Sequence, residues 1–320
     1  MHISDLRPEN ARPLNHCPVR LNQPNRINIV ALGDVGTTML IGLRLLGSDV
    51  IQDIGICDLR EENIARLEME INQIGYPFGG PELPSVHPVT EDELFDGSVL
   101  IFCASRGVPP VEPGSKIDVR MAQLDANRDI IRHYAAIARS KNYRGLVCIV
   151  SDPVDNLAAA FLDESGLEAW QIQGYGLGVM NKRAEYYAKR DPRFASYLTE
   201  GRAFGPHGQD LVIANSIDHY DDALSRELTG LTVHANTAVR NLGFKPYIAP
   251  ALSSAALSIL LTLRGEWHYG SLYFGDEQNG AFLGIKNRLT EDGWEFEDAD
   301  VPRPLYERIE KAYVNLCSIR

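Results

Sequence analysis

The chain has 320 residues, of which 44% are hydrophobic and 23% are charged, as in an ordinary globular protein with a full core. Its net charge of −12 argues against nucleic acids and anionic membranes as partners, and no apolar run is long enough to span a bilayer. Five scattered cysteines without a C-x-x-C pair, three of them in predicted buried strands, indicate reduced thiols. We therefore expect a cytoplasmic protein without a signal peptide, a disulfide framework or a metal site.

The N-terminal segment differs in composition from the rest of the chain. Residues 1–25 are polar and contain four prolines, which predicts an extended arm that is either disordered or packed on a neighbouring subunit. A strand, a glycine turn, a helix and a second strand come next. The strands are predicted over Arg26–Ala31 and Asp53–Cys57, and the helix over Thr37–Leu46 with Gly47 as its stop.

The turn Ala31-Leu32-Gly33-Asp34-Val35-Gly36 and the acid after the second strand predict dinucleotide binding. Glycines let such a turn close and let backbone N–H groups approach a pyrophosphate at the positive end of the helix. Ala31 replaces the first glycine of the pattern, which costs little if its φ is negative. Asp58 lies 22 residues after Gly36, close to the spacing of an acid that binds the adenosine ribose, and it favours NAD over NADP. The alternative is a sheet whose glycines serve only the turn.

Strands and helices alternate up to residue 154 and then give way to longer helices. An amphipathic helix is predicted over 61–75 and a loop over 75–88. The other predicted elements are strands at 99–104 and 146–150, a proline-rich loop at 106–116, and helices at 118–140, 176–189, 221–242, 249–263 and about 304–319. This order predicts an α/β fold, with a Rossmann-type doubly wound parallel sheet over residues 26–154 and ligands at the carboxyl ends of its strands. Residues 155–320 are predicted to form an α+β substrate domain.

The chain resembles the lactate/malate dehydrogenase family over roughly residues 26 to 320. Ser151-Asp152-Pro153-Val154-Asp155 is similar to the family's Asn-Pro-Val-Asp, and Gly205-Pro206-His207-Gly208-Gln209-Asp210 to its Gly-Glu-His-Gly-Asp. Between them, Lys182-Arg183 falls where the family keeps the arginine that binds the substrate carboxylate. Arg120 precedes Asn127 by seven residues, as the family's second arginine precedes its cofactor-contacting asparagine.

The resemblance implies an NAD-dependent oxidoreductase that moves a hydride between the nicotinamide and a small 2-hydroxy or 2-keto acid. It implies His207 as the acid/base, Arg183 as the two-pronged clamp for the substrate carboxylate, and Arg120 and Asp152 as further substrate contacts. A homodimer or homotetramer is implied by analogy alone. The turn, the strand ends and the resemblance together predict these cofactor contacts: Gly33, Asp34, Val35, Gly36, Asp58, Ala104, Asn127 and Val150.

Three positions depart from the family's pattern. Met180 stands three residues before Arg183, where the family keeps the aspartate that orients the histidine and raises its pKa. Asp152 replaces an asparagine that donates to the keto oxygen. The loop 108–113 lacks the family's arginine, a role left open to Arg106 or Lys116.

These departures leave several hypotheses open. The carboxylate has moved from position 180 to Asp152, on the other side of His207, or the substrate presents an amine or imine to Asp152. In both cases the dehydrogenase has an altered specificity. The alternative function is a binding protein that holds a dinucleotide without turnover, which Met180 and the missing loop arginine favour. A weaker alternative is a hydrolase that uses NAD for transient oxidation, for which no cysteine–histidine metal ligand set is apparent.

Overall fold

One nine-stranded sheet runs through the molecule, and helices pack against it. The computed structural model describes residues 1–106 and 119–319, with the backbone alone for 119–123. The strands of this sheet are β1 (Asn25–Val30), β2 (Ile51–Cys57), β3 (Ser85–Pro88), β4 (Val99–Phe102), β5 (Leu146–Ile149), β6 (Ile172–Gly174), β9 (His268–Gly275), β10 (Gly280–Thr290) and β11 (Gly293–Phe296). Two further strands, β7 (Arg202–Phe204) and β8 (Val212–Ala214), pair with each other.

Most helices follow the predicted positions closely, but those over Val154–Ser165 and Tyr197–Glu200 were not predicted. They are α1 (Asp34–Leu46), α2 (Glu61–Asn72), α3 (Val119–Ser140), α4 (Val154–Ser165), α5 (Leu177–Ala188), the single turn α6 (Tyr197–Glu200), α7 (Asp222–Asn241), α8 (Leu257–Leu263) and α9 (Arg303–Ser318). A π-helical segment, Pro250–Ala256, leads directly into α8.

The predicted doubly wound parallel sheet is confirmed. The strand order is β11-β10-β9-β6-β5-β4-β1-β2-β3, and every pairing from β6 to β3 is parallel. All residues of β4 and β5 are buried, which explains why these strands read as continuous apolar runs. The chain leaves β1 toward β2 and β3 and then returns to β4 on the other side. The carboxyl ends of β1 and β4 therefore flank the point where ligands bind in such sheets.

The sheet continues past residue 154, the boundary predicted between the two domains. β6 pairs in parallel with β5, and its Gly174 pairs with Ser271 of β9 in the antiparallel sense. β9, β10 and β11 then extend the sheet as an antiparallel meander. The second half of the chain thus contributes strands to the same sheet as well as the β7–β8 hairpin.

Two sequence predictions were wrong, one for the N-terminal residues and one for residues 75–88. The N-terminal residues were expected to be disordered or to pack on another subunit, but they lie against the C-terminal half of their own chain. Ile3 is fully buried, the Arg12 N–H donates to the carbonyl of Gly275, and the Trp294 N–H donates to the carbonyl of Leu14. The stretch 75–88 was predicted as loop, yet its last four residues form β3 at the edge of the sheet. Edge strands tolerate proline, so the prolines were a poor reason to exclude a strand there.

Ala31 adopts a left-handed conformation, with φ of 71°. Alanine would cost little in this turn only if its φ were negative. At this positive φ, the Cβ of Ala31 destabilises the folded protein by about 1–2 kcal/mol. We expect Ala31→Gly to raise the free energy of unfolding by about 1 kcal/mol, measured by urea denaturation. The matched substitution Ala160→Gly within α4 should lower it by about 1 kcal/mol. Equal destabilisation by both substitutions would contradict this account of the turn.

Candidate functional site

The glycine turn places the N-terminus of α1 at the switch point of the sheet. Gly33 is the N-cap of α1, and Gly36 sits one turn into it. A Cβ on Gly36 would lie 2.2 Å from the carbonyl oxygen of Ala31, so only glycine fits there. Val35 is half-buried and Asp34 is exposed, forming an ion pair of 2.9 Å with Lys245 from the segment after α7. The positive end of α1 is thus open to an anionic group.

Asp58 is held in a fixed orientation at the end of β2. Its Oδ2 accepts a hydrogen bond of 2.7 Å from the Leu32 N–H, and its Oδ1 accepts one of 3.0 Å from the Arg60 N–H. The carboxylate borders a cleft of about 940 Å³, which also reaches Gly33 and Ala104. An acid fixed between the turn and an open cleft is the arrangement that binds ribose hydroxyls in dinucleotide sites. The residues present therefore fit a dinucleotide.

Asn127 connects the ends of β4 and β5. Its side chain is fully buried, accepts from the Arg106 N–H at 2.9 Å and donates to the carbonyl of Asp152 at 2.9 Å. Nearby, the Ser151 hydroxyl donates to the carbonyl of Ala104 at 2.8 Å, and Val150 is half-buried. These bonds fix the two loops after the strands, and with them the position of Asp152.

His207 and Asp152 form an ion pair at the carboxyl ends of the strands. The β7–β8 hairpin carries His207, and its Nδ1 lies 3.0 Å from Oδ1 of Asp152, which stands between β5 and α4. The imidazole is 16% exposed and the carboxylate 47%. Burial lowers the pKa of His207, but the charge and hydrogen bond of Asp152 outweigh burial and the opposing charge of Arg183, so the pKa is raised above its ordinary value.

Arg183 reaches the same place from α5 and is half-buried. Its Nη1 contacts the sulfur of Met180 at 3.4 Å, and its Nη2 donates to Oδ1 of Asn236 on α7. Burial lowers the pKa of Arg183, while Tyr187 and Asp152 oppose that change. The structure thus brings together His207, Asp152 and Arg183, three residues that are separated by 24 or more positions in the sequence.

Among the remaining predicted substrate groups, Arg106 is the one whose side chain belongs to the described residues. Arg120 belongs to α3, but its side chain lies outside the described residues, as do Lys116 and the loop 108–113. Arg106 is exposed and borders the cleft beside Ala104. Within residues 1–106 and 119–319, no cluster of three or more metal-ligating side chains occurs, and no helix is long and apolar enough to cross a membrane.

Gly176 is a site residue that the sequence reasoning missed. A Cβ at this position would lie 2.9 Å from Cβ and 3.1 Å from Cγ of His207, so the imidazole packs directly on the glycine backbone. Its φ of −125° is open to any residue, and close approach is therefore the only constraint. The sequence signal was present as Gly174 and Gly176 before α5, but it reads equally as a helix N-terminus.

For the reaction that the resemblance implies, reduction of a 2-keto acid by NADH, we expect Gly176→Ala to displace His207 and to lower turnover about 10²-fold, because acid/base groups tolerate little misplacement. The measurement is kcat with NADH as reductant. Gly230→Ala is the matched control, since a Cβ there meets nothing within 4 Å. Full activity in the Gly176 variant would contradict the packing role.

Taken together, the fold and the site define a Rossmann-type α/β protein with a histidine–carboxylate pair, His207 and Asp152, after the strands of the sheet. No protein-family model matches the chain. Curated relatives do match: it is 23% identical over 197 residues to the L-lactate dehydrogenase of Mesomycoplasma hyopneumoniae (strain 232), covering 61% of this chain and 58% of the relative. It is also 23% identical over 192 residues to the malate dehydrogenase of Sulfurimonas denitrificans, covering 60% and 57%. The matches span less than two thirds of these relatives.

Solved structures share the fold over almost the whole chain. MGS-M5, a lactate dehydrogenase enzyme from a Medee basin deep-sea metagenome library, superposes with a TM-score of 0.75 at 18% identity and covers 93% of this chain and 98% of its own. The malate dehydrogenase of Picrophilus torridus gives a TM-score of 0.73 at 18% identity, covering 92% and 95%. The chain is thus similar in sequence to lactate and malate dehydrogenases over about 60% of its length, and it shares the fold of solved structures of both.

Proposed function

We propose that the protein is an NAD-dependent dehydrogenase of a small 2-hydroxy acid, with an active site rearranged around Asp152. The observation that carries the proposal is the 3.0 Å contact between His207 and Asp152, with Arg183 beside it. We also propose that residues 26–154 hold the cofactor and that the substrate groups come mainly from residues 155–320. The site is formed where these two parts of the chain meet at the strand ends.

The dinucleotide would be held by the turn and by the ends of β1, β2, β4 and β5. Gly33 and Gly36 would admit the pyrophosphate, and Asp58 would accept hydrogen bonds from the ribose hydroxyls. Ala104 and Val150 would line the path from the switch point toward His207, while Asn127 holds the loops in place. When bound, NADH supplies the hydride that reduces the keto carbon.

His207 would supply the proton that completes the reduction. Since Nδ1 faces Asp152, the proton leaves from Nε2 and goes to the substrate's carbonyl oxygen, which becomes the hydroxyl. Asp152 stabilises the imidazolium before the transfer and fixes the ring in the required tautomer. In the oxidation direction the neutral imidazole takes the hydroxyl proton back through the same nitrogen.

Arg183 would bind the substrate carboxylate. A guanidinium has five N–H donors, so the contacts with Met180 and Asn236 leave donors for a two-pronged grip. The site then pairs one substrate carboxylate with Arg183 and one carboxylate of the protein with His207. This balance favours a small monocarboxylate as the substrate class.

The cell setting and assembly are also proposals. All five cysteines lie in the described residues and carry thiols, which supports a reducing, cytoplasmic setting. A homodimer or homotetramer is proposed from the family likeness and is tested by sedimentation equilibrium.

The proposal is tested by the change in NADH absorbance with a panel of 2-keto acids, including pyruvate, oxaloacetate and branched and aromatic keto acids. Each is assayed with and without ammonium, because a gain with ammonium would favour an imine facing Asp152. Oxidation of NADH with one of these acids alone is the expected result. Tight NADH binding without turnover across the panel would instead support a dinucleotide-binding protein that has lost the reaction.

A further inference from the structure

Asn236 contacts the guanidinium of Arg183 from a helix that the sequence analysis did not connect with the site. Its Oδ1 accepts a hydrogen bond from Nη2 of Arg183, across 53 positions of sequence. The guanidinium also contacts the sulfur of Met180 at 3.4 Å. Both partners are uncharged, so they orient Arg183 without neutralising it.

The position of Asn236 on α7 explains why an amide occurs there. Leu228 and Thr232 are fully buried on α7, and Asn236 comes one helical turn after Thr232 on the same face. α7 packs this face against α5, which carries Arg183. Asn236 itself is half-buried, and its amide oxygen has Arg183 as its partner.

The charges around Arg183 show why an uncharged residue at position 236 matters. A carboxylate at position 236 would form an ion pair with Arg183 and compete with the substrate for the guanidinium. The protein's carboxylate lies instead on His207, through Asp152. An uncharged partner at position 236 adds no second carboxylate to compete with the substrate for the guanidinium.

We propose that Asn236 is a positioning residue that aims Arg183 at the substrate carboxylate while preserving its charge. This inference rests on the proposed function, because it assumes that Arg183 binds the substrate. It goes further because it states that α7 orients Arg183, and that the substrate binds tightly because residue 236 is uncharged.

Asn236→Asp and Asn236→Ala test this proposal. The first readout is KM and kcat for the best 2-keto acid. The second is the dissociation constant of oxamate, a non-reducible isostere of pyruvate, in the presence of NADH. We expect Asn236→Asp to raise both KM and the oxamate constant more than tenfold. We expect Asn236→Ala to raise them about three- to tenfold, with kcat changing less than KM in both variants. NADH affinity should stay unchanged.

Asn241→Asp is the matched control, because it adds the same charge at the exposed end of the same helix. Unchanged KM and oxamate binding in the Asn236 variants, or equal effects of Asn241→Asp, would overturn the proposal. If wild-type protein binds oxamate with NADH but shows no turnover, the proposed reaction fails while the oxamate readout still tests Asn236. Absence of both turnover and oxamate binding would overturn both proposals.

Discussion

Replacing His207 by alanine is expected to slow the reduction of a 2-keto acid by about 10²–10⁴-fold, because the substrate oxygen then has no positioned proton donor. NADH binding should not change, since His207 lies apart from the residues that border the cleft around Asp58. The measurement pairs steady-state turnover with the NADH dissociation constant from fluorescence.

The protein offers a matched control for this substitution. His219 also pairs with a carboxylate, Oε2 of Glu200 at 3.2 Å, but its side chain is 81% exposed. His219→Ala should therefore keep wild-type turnover. If the His207 variant keeps its activity as well, His207 is not the acid/base, and the proton for the substrate oxygen must come from another group.

Replacing Asp152 by asparagine is expected to lower turnover at neutral pH by about 10²-fold and to shift its pH dependence. Asp152 raises the pKa of His207, so the imidazolium that donates the proton persists to higher pH in the wild-type protein. Reduction of the keto acid should hold at low pH and fall as pH rises through that pKa. In the variant the fall should begin at lower pH, and oxidation of the hydroxy acid should also begin at lower pH.

Glu200→Gln is the control for the carboxylate, because it changes the exposed pair and leaves His207 untouched. Its pH profile should match the wild type. A fully active Asp152→Asn variant would contradict the idea that Asp152 takes over the role of the aspartate that the family keeps at position 180. Dependence of the variant's activity on ammonium would instead point to a substrate amine at this position.

Local signals in the sequence were enough to predict the first half of the sheet. The helix predicted over 37–46 and the strand over 53–57 differ from α1 and β2 only in their first residues, because glycines and apolar runs mark these boundaries. β3 was missed since it is short and ends in proline. The attachment of the antiparallel strands to this sheet was missed because the junction joins residues far apart in the sequence, Gly174 and Ser271.

The residues of the site also fall into two groups, those that the sequence could predict and those that it could not. His207, Arg183 and Asp152 could be selected because they fall in segments that resemble a family, and the 3.0 Å contact is the arrangement that a relocated carboxylate requires. Asn236 and Gly176 could not be selected from sequence. Each acts through a tertiary contact, with Arg183 or with the ring of His207, and neither lies in a motif.

The pairing of His207 with Asp152 is tested most directly by an NMR titration of the cofactor-free protein with ¹³Cε1-labelled histidine. The resonance missing from His207→Gln identifies the ring. We predict that the pKa of His207 lies above the ordinary histidine value in the wild type and is lower in Asp152→Asn, with no change in Glu200→Gln. An identical titration of His207 with and without the Asp152 carboxylate would contradict the account.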